Sequence, residues 1–74
     1  MQQHSDDPLL KQLGTRIRTI REELHLTQQE CAAMCQISRS HICHLERGFI
    51  NASVLHLAKV AQGLGIELVD LFKP

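Results

Sequence analysis

The sequence predicts an all-α fold of five short helices, and three observations carry that prediction. Apolar residues recur at spacings of three and four along most of the chain. Residues that start and stop helices interrupt that period at short intervals. No stretch shows the strict alternation of a half-buried strand.

The opening "MQQHSDD", residues 1–7, is polar and is expected to be a flexible segment outside the fold. Pro8 suits the first turn of a helix, where its missing N–H costs nothing. Leu10, Leu13, Ile17, Ile20 and Leu24 then form one apolar stripe, which predicts a first helix over 8–25. In "TQQE", Thr27 can accept from the backbone of Glu30 while Glu30 reaches back to the Thr27 amide. That capping box opens a second helix over 28–35, with Cys31, Ala32 and Cys35 on it. After "QIS", Ser38 is the N-cap of a third helix over 39–47, which Gly48 ends. "FINA" reads as a loop. Ser53 caps a fourth helix that runs to Leu64, with Gly65 as its stop. Val54, Leu57, Ala58, Val60, Ala61 and Leu64 form its stripe. Glu67 to Phe72 make a short fifth helix. Residues 8–74 are read as one domain.

The bulk numbers bound the function. A chain of 74 residues buries a modest core, so a partner subunit would help its stability. Three cysteines is an odd count, which rules out a complete disulfide framework within one chain. No signal peptide is visible, and no apolar run approaches the ~18 residues of a membrane span. The expected setting is a reducing cytoplasm with free thiols and no membrane contact. Two Phe and no Tyr or Trp leave few stacking platforms, which weakens a reading as a binder of single-stranded nucleic acid. A formal net charge of zero argues against strong non-specific binding to a polyanion, although a local patch can still bind.

The most informative stretch is "SRSHICHLERG", Ser38 to Gly48. On a wheel of about 100° per residue, Ile42 and Leu45 fall together and face the core. Ser40, Cys43, His44 and Arg47 fall on the opposite side, with Arg39 and His41 at the borders. That outward face lacks the alternating charges of an ordinary solvated helix. Its donors and small groups suit a DNA major groove. Arg can bond guanine bidentately, Ser can bond donors or acceptors, and Cys can sit against a thymine methyl. A metal is the competing reading, because Cys31, Cys35, His41 and His44 lie within fourteen residues. The two cysteines share the apolar face of their helix while His44 points away, so four ligands do not converge. Cys31 and Cys35 read as small core hydrophobes, and Cys43 as the exposed thiol, a base contact or without a role rather than a redox sensor. No nucleophile, base and orienter come together, so neither an enzyme nor a cofactor is predicted.

The order "LTQQECA", "CQIS" and "SRSHICHLERG" resembles the helix-turn-helix of Cro- and phage-repressor-type DNA-binding domains, the Xre family. "RIRTIREELHLTQ" and "NASVLHLAKVAQGLGIELVDLF" are similar to the family's first, fourth and fifth helices, so the resemblance covers Leu13 to Phe72. The stand-alone size is similar to that of restriction–modification controller proteins. The resemblance implies a compact five-helix repressor-like bundle whose third helix enters the major groove of double-stranded DNA. It places Arg39, Ser40, Cys43 and His44 at base edges. It places Gln28, Arg47, Asn51 and Ser53 against the DNA backbone; Arg18 is either a further phosphate contact or a solvated charge. It also implies an ion pair between Arg21 and Glu46 that fixes how the helices register.

The chain departs from the family pattern at Gln36, where Gly is usual, at Ala52, where Pro is usual, and at the apolar Phe49 and Ile50. A positive φ at Gln36 would cost about 1 kcal/mol, so an adjusted turn is expected there. Arg16, Arg18, Arg21, Arg39 and Arg47 are expected to gather between the first and third helices, away from the terminal acids. Phe49, Ile50, Leu55 and Val69 fall outside the core stripes and are the expected dimer interface, with core burial as the other reading for Phe49. Together these features predict a sequence-specific transcription regulator, a repressor-type homodimer on a palindromic operator. Glu22, Glu23 and Glu30 are candidates for contact with RNA polymerase in an activator, against plain solvation. The alternative is an antitoxin-like or other protein-interaction module that uses the apolar patch.

Overall fold

Every α-helix begins at a polar side chain that closes onto its own first turn. In the computed structural model, which describes residues 7–48 and 53–73, these caps set the four α-helices of the described residues. Asp7 Oδ1 accepts from the Leu9 N–H at 2.8 Å and, with Pro8, starts α1 (Pro8–Glu23). Thr27 and Glu30 exchange bonds of 3.0 and 2.8 Å, the capping box of α2 (Gln28–Cys35). Ser38 Oγ accepts from the His41 N–H to start α3 (Arg39–Arg47), and Ser53 Oγ accepts from the His56 N–H to start α4 (Val54–Leu64). These bonds satisfy donors that the helix itself leaves open.

Left-handed residues end each α-helix. Gly48 and Gly65 take φ of 70° and 74° at the ends of α3 and α4. Two non-glycine residues do the same work: His25 (φ 60°) after α1 and Gln36 (φ 59°) after α2. Behind them, Leu26 N–H bonds Arg21 O and Ile37 N–H bonds Ala32 O, each at 3.1 Å, which closes the last carbonyls. Gln36 therefore holds the glycine-like turn without adjustment, against expectation. The His25 turn also ends α1 at Glu23, two residues before the expected boundary, and leaves Leu24 outside the buried stripe, 47% exposed.

The fifth segment is a 3-10 helix, Leu68–Phe72, where a fifth α-helix was expected. Five residues are too few to recover the cost of nucleating an α-turn, and the tighter i→i+3 form is the usual outcome. The Asp70 N–H bonds Glu67 O at 2.9 Å, and Asp70 Oδ2 accepts from the Glu67 N–H at 3.0 Å.

The core joins all five elements: Leu13, Ile17 and Ile20 of α1, Cys31 and Cys35 of α2, Ile42 and Leu45 of α3, Leu57, Val60 and Leu64 of α4, and Leu71. No polar or charged residue is fully buried among the described residues. α3 lies between α1 and α2, α4 packs on α2, and the 3-10 helix closes against α1 and α4. Two crossings depend on glycine. A Cβ on Gly14 would overlap the Leu45 carbonyl of α3 and stand 2.6 Å from Glu46 O. A Cβ on Gly63 would stand 2.6 Å from Cys35 Sγ and 2.7 Å from Cys35 Cα of α2. On α4 the buried stripe is narrower than expected. Val54 and Ala58 are exposed, and with Leu55 they form a separate apolar face. The packing of α2 and the 3-10 helix against α4 covers only the arc of Leu57, Val60, Ala61 and Leu64.

Candidate nucleic-acid interface

α3 is held at the surface by its inner face and by one ion pair. Ile42 and Leu45 are buried, while Arg39, Ser40, His44 and Arg47 are exposed and Cys43 is half-buried. Arg39 and Ser40 sit in the first turn, His44 and Arg47 follow along the same outer side, and Cys43 lies beside them. Arg21 reaches from α1 to Glu46 of α3: Nε donates to Oε2 at 2.6 Å and Nη2 to Oε1 at 3.0 Å. The two side chains are 11% and 3% exposed, so this bidentate pair is nearly dry. Nη1 of Arg21 also donates to Leu26 O at 2.8 Å, which ties in the turn between α1 and α2. The hydrogen bonds to Glu46 raise the pKa of the Arg21 guanidinium, and burial opposes them.

Gln28, expected against phosphate, donates from Nε2 to Glu46 Oε1 at 3.2 Å. A single carboxylate thus joins α1, α2 and α3. Ser53 is exposed at the start of α4, but its Oγ is engaged with the His56 N–H and with His56 Nδ1 at 2.8 Å. Arg18 is exposed and pairs with Glu22 at 3.3 Å. Arg16 does not join the basic face. Its Nε donates to Asp70 O at 2.9 Å, which turns it towards the 3-10 helix. There Lys73 pairs with Asp70 at 2.7 Å. That bond, with the Glu67 amide, holds the Asp70 carboxyl below its usual range. Asn51, Phe49 and Ile50 lie outside the described residues. Leu55 and Val69 are 66% and 63% exposed.

Cys31 and Cys35 are buried with their sulfurs 3.9 Å apart, and Cys35 Sγ donates to Val60 O at 3.6 Å. The hydrogen bond to Cys31 and burial push the Cys35 thiol far above its usual pKa. Among the described residues, no three His, Cys, Asp or Glu side chains converge on a point that could hold a metal. No described helix is long and apolar enough to cross a membrane.

Residues 17–71 match the helix-turn-helix family model. The chain belongs to the helix-turn-helix family of transcription regulators. It is 38% identical over 64 residues to an uncharacterized HTH-type transcriptional regulator of Sinorhizobium fredii, covering 86% of this chain and 83% of that one. Its fold is similar to the restriction–modification controller protein C.AhdI of Aeromonas hydrophila, with a TM-score of 0.83, 35% identity and 85% and 96% of the two chains covered. It is also similar to SinR, a master regulator of biofilm formation solved in complex with DNA, with a TM-score of 0.76, 27% identity and 82% and 98% covered. These relatives are regulators and controller proteins, not enzymes.

Several parts of this arrangement had weak signals in the sequence. Gly14 and Gly63 interrupt otherwise regular helical periods, and that interruption was the available clue to a close crossing. The bond from Arg16 to the Asp70 carbonyl had no local signal, because its partner is backbone 54 residues away.

Proposed function

We propose that the chain binds double-stranded DNA as a sequence-specific transcription regulator, with α3 in the major groove. The observation that carries this reading is the outer face of α3. Arg39, Ser40 and His44 project from a helix whose other face is fixed by Ile42, Leu45 and the Arg21–Glu46–Gln28 cluster. A rigid helix with short donors suits base edges, which are read by bonds of fixed geometry. Cys43 is the small side chain among them. The solved complex of SinR with DNA supports the same role for this fold.

Arg47 at the end of α3, Arg18 of α1 and Ser53 at the start of α4 are read as the backbone contacts. Gln28 joins them through its second amide hydrogen, since one N–H serves Glu46 and an amide nitrogen carries two. Val54, Leu55 and Ala58 give α4 an apolar face that the monomer leaves in water, and Val69 and Phe72 give the 3-10 helix another. We read these as the surface of a homodimer, which would carry two copies of α3 about one DNA turn apart, ~34 Å, on a palindromic operator in the cytoplasm. Residues 8–74 form the DNA-binding domain. An activator would use the exposed Glu22, Glu23 and Glu30 against RNA polymerase. The second reading, a protein-interaction module, draws on the same apolar face.

Selection of bound duplexes from a random pool, at near-physiological salt, separates the two. Enrichment of a symmetric site with half-sites one helical turn apart supports the dimeric regulator. A pool that stays random would contradict it and point to the α4 face as a protein-binding surface.

A further inference from the structure

The same four-residue pattern occurs twice, "SRSH" at Ser38–His41 and "SVLH" at Ser53–His56. In each copy the serine hydroxyl caps the helix by accepting from the histidine N–H, at 3.0 and 3.1 Å. Each copy therefore puts an imidazole in the first turn of its helix. The fold brings the two rings together, with centroids 4.4 Å apart and planes at 40°. This contact joins the start of α3 directly to the start of α4.

Its chemistry favours neutral rings. Nε2 of His41 is enclosed and has no hydrogen-bond partner among the described residues. A neutral ring can carry its proton on Nδ1 and leave Nε2 bare, whereas an imidazolium must place a charged N–H there with no acceptor. Both rings also lie in first turns, where the helix dipole opposes a cation. The charged groups that act on His41 are His56 across the contact and His44 one turn along α3. Of the charges on the packed elements, Arg21 of α1 is tied to Glu46, Lys11 lies against Gly48 at the far end of α3, and Glu30 of α2 is bound to the Thr27 amide, while Arg39 shares the first turn of α3 with His41 and Lys59 follows His56 by one turn on α4.

We propose that the His41–His56 contact is an acid-released latch, which holds the first turn of α3 against the first turn of α4. A neutral His41 packs its ring against that of His56. A protonated His41 sets a charged N–H without an acceptor beside that ring, in a first turn whose dipole opposes it, and the two turns separate. Burial, with His56 and His44 behind it, lowers the pKa of His41, in keeping with this geometry. Arg39 and Ser40 stand in the released turn, so acid also weakens sequence-specific DNA binding. That consequence rests on the reading of α3 as the groove-binding helix; the latch does not.

Amide hydrogen exchange of the full chain, as protection factors at pH 7.5 and 5.5, tests it. In the wild type the His41 and Ile42 amides should lose about tenfold in protection at the lower pH while the core of α1 keeps its own. In His56→Gln, which removes the ring that a charged His41 faces, that loss should shrink. Equal protection at both pH values in the wild type, or the same loss in His56→Gln, would overturn the proposal. Should His56→Gln not fold, the ring signals of the wild type decide. A His41 signal that titrates at the ordinary histidine value, unaffected by His56, refutes the latch. DNA affinity for a selected duplex should fall over the same interval, more in the wild type than in His56→Gln. Absence of DNA binding at both pH values would contradict the DNA reading and leave the exchange result to judge the latch.

Discussion

Arg21 of α1 holds both carboxylate oxygens of Glu46 on α3, at 2.6 and 3.0 Å, with almost no water contact. The pair sets the position of α3 relative to α1, and Gln28 adds α2 to the same carboxylate. Removing one partner leaves a buried charge without compensation. Glu46→Ala should cost about 3–5 kcal/mol in urea-induced unfolding. Replacing both partners by apolar residues of similar volume should cost far less. A single variant with unchanged stability would show that the pair is not desolvated.

The helix crossings make a sharper stability prediction. Gly14→Ala puts a methyl group into the Leu45 and Glu46 carbonyls, which are backbone and cannot rotate away. The loss should reach about 3 kcal/mol, although alanine is the better helix former by roughly 1 kcal/mol. Thermal unfolding measures it. A stabilised Gly14→Ala variant would mean that α1 and α3 lie further apart than described.

Gln36 offers the opposite sign. It holds φ at 59°, a region that costs a non-glycine residue about 1–2 kcal/mol. Gln36→Gly should therefore stabilise the chain by about 0.5–1 kcal/mol after the entropy of glycine is set against that gain. The same unfolding curve reads it, as a higher midpoint at constant slope.

Stability should also depend on pH through His41. Burial, then His56 and His44, lowers its pKa in the folded state. Above the unfolded value of about 6.5 both states are neutral and nothing is lost. As the pH falls below that value the unfolded chain takes up a proton that the folded chain resists, so stability declines until the folded pKa is passed. His41→Gln should flatten this part of the curve of unfolding free energy against pH. An equally steep curve in the variant would assign the effect to another group.

The four α-helices were legible because their signals are local. Thr27, Ser38 and Ser53 announced helix starts, and Gly48 and Gly65 announced stops. The end of α1 was not, because His25 occupies a glycine-like conformation that its side chain does not advertise. The outer face of α3 followed from the wheel, since Ile42 and Leu45 fix its rotation. Tertiary relationships were harder to read. Arg16 was counted with the basic face, yet its partner is a distant carbonyl. Val54 and Ala58 were assigned to the core from α4 periodicity alone, and which arc of a helix is covered depends on neighbours that periodicity does not name.

If the outer face of α3 reads bases, Arg39 in its first turn is the side chain whose loss shows it. The most direct measurement compares wild type and Arg39→Ala on a selected duplex and on each of its single base-pair variants, at fixed salt. Arg39→Ala should lose about 1–3 kcal/mol of binding and relax discrimination at one position in each half-site. A loss that is uniform over all variants, or no loss at all, would contradict that reading and reduce Arg39 to a phosphate contact or a solvated charge.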